Sequence, residues 1–224
     1  MKNTFYYFGS CRINRMNTQL RTLLHDPGTI LQEIKAMHNE LIVPEDMYDL
    51  IYYAKYRNHL LNDKMRYYEK HLNLFNNANC IIIEICTLKS IVYNNIYLDL
   101  IQSGRNKEKK EKYVDNYITN DITLFENNVI KLIEYLILKQ KKICICGVVY
   151  WNNWNIEKLK IRNVLNNVLE KICKKYNVTF INPTDMINEN LNIYPINELV
   201  LDSDHFTKKG EELITQYIKK KLNN

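Results

Sequence analysis

Two short apolar runs constrain the fold of this chain more than any other feature. Residues 80–86 and 143–149 are almost wholly apolar and rich in isoleucine. Runs of this length are typical of strands that are buried on both faces, as in a parallel sheet. Segments 118–138 and 156–176 carry apolar residues at the three-four spacing of amphipathic helices. Strands that alternate with helices predict a three-layer α/β fold around a central parallel sheet of about five strands.

Caps and turns outline the remaining elements. Thr29 is placed to cap a helix that continues to Met37, and Pro44 is placed to open a helix that continues to about Leu61. Thr207 is placed to cap a last helix. Short strands are expected at 4–8, at 19–24 and at 178–181.

Length and composition favour one soluble domain over residues 1–224. A chain of 224 residues fits a single core, and it contains no internal repeat and no low-complexity linker. The net charge of +6 is mild, and the basic run 107–112 is interleaved with glutamate. We therefore expect a solvated face there and no nucleic-acid partner, although a nucleic-acid-binding domain stays open as a minor alternative.

The cysteines indicate a reduced, cytoplasmic protein. Their spacing does not match a zinc motif, so no metal is expected. The sequence shows neither a signal peptide nor a run long enough to span a membrane. No disulfide is expected, since most of the cysteines fall inside strand-like apolar runs, where a thiol behaves as a small hydrophobe: Cys80, Cys86, Cys144 and Cys146.

Two polar clusters carry the residue types of nucleophilic catalysis. Gly9-Ser10-Cys11-Arg12 follows the first strand, and Asp202-Ser203-Asp204-His205 precedes the last helix. A nucleophile at a helix entry has unpaired backbone N–H groups beside it, which stabilise a developing oxyanion. An aspartate three residues before a histidine accepts the imidazole Nδ1–H and leaves Nε2 as a base.

In this order the clusters resemble the blocks of the SGNH (GDSL-like) hydrolase superfamily. Its first block ends strand one with the nucleophile, and its last block is Asp-x-x-His before a terminal helix. The segment from Asp202 to Gly210 is similar to that last block, including the Thr and Gly that often follow the histidine. The resemblance spans the chain in layout and implies a flavodoxin-like SGNH-hydrolase fold.

The two middle blocks match poorly. Gly28 is the glycine available for the second block, whose N–H helps to form the oxyanion hole. The third block is an Asn after strand three, yet 84–89 offers none. A missing donor of this kind typically costs about 3 kcal/mol of transition-state stabilisation. The candidates to replace it are Thr87, Arg12 and one of the asparagines Asn152, Asn153 and Asn155.

The first block also leaves the nucleophile open. If Gly9-Ser10-Cys11 is laid on Gly-Asp-Ser of the family, Cys11 holds the serine position, and a Ser10 nucleophile requires a shift of one residue. Similar Gly-x-Cys variants are known in relatives linked to polysaccharide acetylation. Ser10 and Cys11 therefore both stand as candidate nucleophiles.

The resemblance implies an acyl-transfer enzyme with His205 as general base and Asp202 as its orienting partner. It moves an acetyl or small acyl group to water or to a sugar-like acceptor. A hydrolase needs no cofactor, whereas a transferase uses acetyl-CoA. Arg12 and Arg15 are candidates to bind a phosphate of coenzyme A or of a nucleotide-sugar. The alternative is a non-catalytic carbohydrate- or partner-binding module with a degenerate SGNH fold. The motifs do not indicate an oligomeric state.

Overall fold

The fold is that of a computed structural model, which describes residues 4–9, 24–51, 64–99, 107–150, 156–202 and 205–223. The predicted strand at 19–24 lies outside these ranges except for Leu24. The main helices are α1 Pro27–Met37, α2 Lys64–Asn77, α3 Ile122–Leu138, α4 Ile156–Lys175, α5 Pro183–Asn190 and α6 Lys208–Asn223. The strands are β1 Phe5–Phe8, β2 Cys80–Glu84, β3 Ser90–Tyr93, β4 Ile96–Leu98, β5 Ile118–Thr119, β6 Lys142–Cys146 and β7 Thr179–Ile181.

A four-stranded parallel sheet, flanked by helices, confirms the predicted α/β class. Its order is β1-β2-β6-β7. β2 and β6 run parallel with Cys80 opposite Lys142 and Glu84 opposite Cys146, and β7 continues the sheet beside β6. Every residue of β2 is buried, including its one polar residue, Glu84, and its apolar run predicts this burial. The described strands of this sheet number four, against the expected five or so.

A second, antiparallel sheet was not predicted. Its order is β4-β3-β5, and β3 and β4 form a hairpin. Asn94 and Asn95 make the turn with φ of 50° and 62°, a left-handed pair that asparagine tolerates better than most residues. The Asn-Asn step between two short apolar segments is the sequence signal that identifies this hairpin.

Two helix predictions need correction, and one helix was not predicted. α1 is capped by Asp26, because Pro27 at the first helical position places the N-cap one residue before it, so Thr29 lies within the first turn. Pro44 precedes a short 3₁₀ helix, Glu45–Leu50, and Ile51 is already extended, so an α-helix from there to Leu61 is wrong. α2 was not predicted. Thr207 does cap α6, since its hydroxyl accepts the N–H of Gly210 at 3.1 Å.

The chain groups into two compact units. The first unit comprises Met1–Tyr6, Leu24–Asn79 and Thr87–Lys141, and the second comprises Tyr7–Leu23, Cys80–Cys86 and Lys142–Asn224. In the first unit α1 packs on α3, and in the second α4 packs on β7 and α6 packs on α5. Within the described ranges, no helix combines the length and the apolarity that crossing a membrane requires.

Candidate active site

The Asp202–His205 turn brings a carboxylate and an imidazole into direct contact. Both carboxylate oxygens of Asp202 lie 2.9 Å from Nδ1 of His205, and Oδ1 also accepts the backbone N–H of His205 at 2.8 Å. Asp202 therefore fixes both the ring orientation and the tautomer that carries its proton on Nδ1. In that tautomer Nε2 is a proton acceptor.

The backbone of this turn presents the two side chains to solvent. Val200 and Phe206 form an antiparallel bridge, and the N–H of Leu201 donates to the carbonyl of His205 at 2.9 Å. About half of each side chain is exposed, 49% for His205 and 51% for Asp202. Nε2 of His205 makes no hydrogen bond to any part of the chain that the structure describes, so it is available to a reacting group.

Thr207 and Gly210, which follow the histidine, anchor the turn to α6. The hydroxyl of Thr207 donates to the carbonyl of Glu198 while it accepts the N–H of Gly210. A Cβ on Gly210 would lie 2.0 Å from the carbonyl oxygen of Leu199, so this position requires glycine. Thr207 and Gly210 thus fix the segment that holds His205.

The end of β1 also requires glycine. Gly9 has φ of +152°, and a Cβ there would lie 2.7 Å from Cβ of Glu84, the last residue of β2. Glu84 is 2% exposed, which makes it a buried carboxylate at the strand ends, where ligands of parallel sheets bind. Sequence reasoning treated it as a strand residue. The sequence feature that could have identified Glu84 as a site residue is its position as a lone acid near the carboxyl end of an apolar strand.

The predicted nucleophiles lie outside the described residues. This holds for Ser10 and Cys11, and for the substrate-binding candidates Arg12 and Asn152. The structure therefore gives no distance from His205 to either nucleophile. It establishes the Asp202–His205 contact and the glycine that precedes Ser10.

A clamp that sequence reasoning missed holds the loop after β6. The side chain of Asn166 on α4 accepts the N–H of Val148 at 2.9 Å and donates to its carbonyl at 2.8 Å. Asn166 is 3% exposed, and Gly147 makes room for it, since a Cβ there would lie 2.2 Å from Asn166 Oδ1. The sequence does not single out Asn166, because α4 also contains Asn163 and the adjacent Asn167.

Gly28 and Thr87 belong to the first unit, and both make local hydrogen bonds. The N–H of Gly28 donates to Oδ1 of Asp26 at 3.0 Å as part of the α1 cap. The hydroxyl of Thr87 accepts the N–H of Lys89 at 3.0 Å. Asp26 is buried, and burial raises its pKa to about 6.

Three of the described cysteines, Cys80, Cys146 and Cys173, have a raised thiol pKa. Burial raises the pKa of Cys80 and of Cys173 to about 12, and a hydrogen bond with Cys144 together with burial raises that of Cys146. None of the five cysteines in the described ranges is joined in a disulfide. In the same ranges, no group of three or more His, Cys, Asp or Glu side chains is arranged to hold a metal ion.

Comparisons with known proteins give structural similarity only. No family model matches the chain, and no curated protein matches it. An acetylxylan esterase from Geobacillus stearothermophilus is 15% identical with a TM-score of 0.47, over 72% of this chain and 67% of that one. An alpha/beta hydrolase from the metagenome of Lake Arreo, Spain, is 9% identical with a TM-score of 0.45, over 75% and 66%. Similarity at this level assigns neither a family nor an activity to the chain.

Proposed function

We propose that this chain is an SGNH-like acyl-transfer enzyme that moves an acetyl or other small acyl group to water or to a sugar-like acceptor. The proposal is supported above all by the Asp202–His205 contact, in which a carboxylate orients a half-exposed imidazole and leaves Nε2 as a base. The sequence resemblance supplies the nucleophile, Ser10 or Cys11.

The reaction proceeds in two steps, acylation of the enzyme and then deacylation. Nε2 of His205 takes the proton from Oγ of Ser10 or Sγ of Cys11 as that atom attacks the acyl carbonyl. The tetrahedral intermediate collapses, the bond to the leaving group breaks, and His205 returns the proton to that group. In the second step His205 takes a proton from water or a sugar hydroxyl, whose oxygen attacks the acyl-enzyme. The bond from the acyl carbon to Oγ of Ser10 or Sγ of Cys11 then breaks, His205 returns the proton to that atom, and the free acid or the acylated sugar leaves.

The oxyanion of each intermediate needs donors. Backbone N–H groups of the turn after Gly9 are the first candidates, and Arg12, Asn152 and Thr87 are side-chain candidates. Gly28 already donates its N–H to Asp26, so a role for Gly28 requires that the α1 cap open. Removal of one such donor typically costs about 3 kcal/mol of transition-state stabilisation.

The donor and the acceptor are small molecules in this proposal. Hydrolysis requires no cofactor, whereas transfer to a sugar uses acetyl-CoA as donor. We place the reaction in the cytoplasm, as the sequence predicts. Neither a nucleic-acid partner nor a membrane partner is part of the proposal.

Removal of the imidazole tests the proposal. We expect His205→Ala to lower the turnover of p-nitrophenyl acetate or acetyl-CoA by about 10³-fold, since a general base typically contributes 10²–10⁴-fold. The melting temperature should change little, because half of the side chain is exposed. His38→Ala, which removes a histidine of the first unit, is the matched control and should keep its activity. Equal rates for His205→Ala and wild type would contradict the proposal.

A second candidate function is a non-catalytic carbohydrate- or partner-binding module. The observation in its favour is the third block, where 84–89 lacks the Asn of active members and carries buried Glu84 instead. Wild-type protein that is folded but turns over neither substrate would support this reading over the enzymatic one.

A further inference from the structure

A cleft in the second unit lies beside the carboxyl end of β6. It has a volume of about 280 Å³ and is bordered by Tyr150, four residues after β6, and by the first two turns of α4. Its α4 residues share one helix face, because their spacing of three, four and seven brings them into line. The described residues that line it are Tyr150, Ile156, Leu159, Lys160 and Asn163.

The loop wall of the cleft is held in place before any ligand arrives. The N–H of Tyr150 donates to the hydroxyl of Thr184 at 3.2 Å, and Arg162 donates to the carbonyl of Val149 at 2.9 Å. The Asn166 clamp holds the preceding residue, Val148, by two further hydrogen bonds. A ligand therefore does not have to order this wall, which favours affinity.

The polar groups in the cleft are available to a ligand. Within the described part of the chain, the ammonium of Lys160 and the carboxamide of Asn163 make no side-chain hydrogen bond and no ion pair. Lys160 donates only, whereas Asn163 both donates and accepts. Tyr150 contributes an aromatic face together with a hydroxyl.

This lining selects among ligand classes. A purely apolar ligand would leave Lys160 and Asn163 without partners, which is unfavourable. An inorganic anion would make no use of Tyr150 or Leu159. A hydroxyl-rich ring matches both the apolar and the polar residues of the lining. Its C–H face packs on aromatic and aliphatic side chains, and its hydroxyls both donate and accept. The volume lies just below the usual range for small-molecule sites, roughly 300–1,000 Å³, so it suits one ring.

We propose that this cleft binds a single sugar ring, with Tyr150 against the apolar face of the ring and with Lys160 and Asn163 bonded to its hydroxyls. Its role as the acceptor subsite rests on the proposed function, whereas binding of the ring does not. Ring binding is therefore tested without turnover.

The experiment is a titration of the protein with methyl glucoside and with methyl xyloside, in which ligand-observed NMR measures the binding. We expect saturable binding by wild type and by His205→Ala. Tyr150→Leu should weaken binding by about tenfold, which corresponds to the loss of one good contact. Asn163→Ala and Lys160→Ala should each weaken it several-fold. Lys171→Ala, on α4 but outside the cleft lining, is the control and should bind as wild type does.

Three results would overturn the inference. These are no saturable binding of either glycoside, equal binding by all variants, or Lys160-dependent binding of inorganic phosphate without binding of a glycoside. Tyr150→Leu keeps the bond to Thr184, because that bond involves the backbone of residue 150, so unfolding is not expected. Thermal melting of each variant checks this point. If His205→Ala binds glycosides but wild type has no activity, the cleft assignment stands and the proposed function fails.

Discussion

Asp26 and Asp202 each begin a turn in which the aspartate accepts the backbone N–H three residues later. Oδ1 of Asp26 accepts the N–H of Thr29 at 3.1 Å, and Oδ1 of Asp202 accepts that of His205 at 2.8 Å. In each turn the aspartate also accepts a hydrogen bond from the side chain of that third residue, at 2.8 Å from Thr29 and at 2.9 Å from His205. The two turns share these two hydrogen bonds.

Their surroundings and their last residues differ. Asp26 is 5% exposed, and the hydroxyl of Thr29 has one hydrogen, which it directs toward its aspartate. The side chain of Asp202 is 51% exposed, and the imidazole of His205 keeps a second nitrogen after the first has bonded. The turn motif alone is therefore a capping device. It becomes a candidate catalytic device where its last side chain retains a basic atom in solvent.

The largest expected effect comes from Asp202→Asn. The Asn oxygen still accepts the backbone N–H of His205, but its NH₂ group now donates to Nδ1 and moves the ring proton to Nε2. We expect a loss of about 10³-fold in acyl transfer, about 4 kcal/mol, with a change in the free energy of unfolding below about 0.5 kcal/mol. Initial rates and denaturant melts measure the two quantities.

Asp26→Asn is the matched substitution in the other turn, and it should leave the activity unchanged. If Asp26→Asn and Asp202→Asn lower the activity equally, the contrast between a capping turn and a catalytic turn is wrong. Unchanged activity of Asp202→Asn would show that Asp202 does not orient the His205 imidazole for catalysis.

Asp26→Asn should also alter the pH dependence of stability. Burial raises the pKa of Asp26 from 3.8 to about 6, so folding favours its protonated form. Its contribution to stability is present below about pH 4 and is lost as the pH rises to about 6, a fall of about 3 kcal/mol. Asn cannot ionise but still caps the helix. The difference in unfolding free energy between the variant and wild type should therefore shift in favour of the variant between pH 4 and pH 7. A difference that stays constant with pH would contradict this account.

The smallest effect is expected from Thr207→Ala. The substitution removes the hydroxyl that accepts the N–H of Gly210 and donates to Glu198, so α6 loses its cap. A loss of about 1 kcal/mol in the free energy of unfolding is typical of such a change. Thr207→Ser keeps the hydroxyl and is the control. Equal denaturation midpoints for the two variants would show that the cap does not stabilise α6.

The fold was predictable where one pattern persists over a whole element. β2 and β6 are apolar except for one terminal residue each, and α3 and α4 repeat their apolar spacing over several turns. The β3–β4 hairpin was not predicted because its strands are only four and three residues long. Short strands carry too few residues to separate alternation from chance.

The site was predictable only where it is local. Asp202 and His205 are three residues apart, so their contact follows from one turn of chain. Glu84 lies against Gly9 although 75 residues separate them, and Asn166 bonds Val148 across 18 residues. Such contacts depend on strand order and helix packing, which no local pattern in the sequence encodes.

The central claim is that His205 drives transfer of an acyl group through a nucleophile in the turn after Gly9. Trypsin releases residues 3–12 as one peptide, which contains both Ser10 and Cys11. The most direct measurement is the mass of this peptide after a brief reaction with p-nitrophenyl acetate or acetyl-CoA and an acid quench. We predict a gain of one acetyl group in wild type and none in His205→Ala, with release by neutral hydroxylamine if Cys11 is the carrier. An unmodified peptide from actively reacting wild-type protein, or equal acetylation in His205→Ala, would contradict the claim.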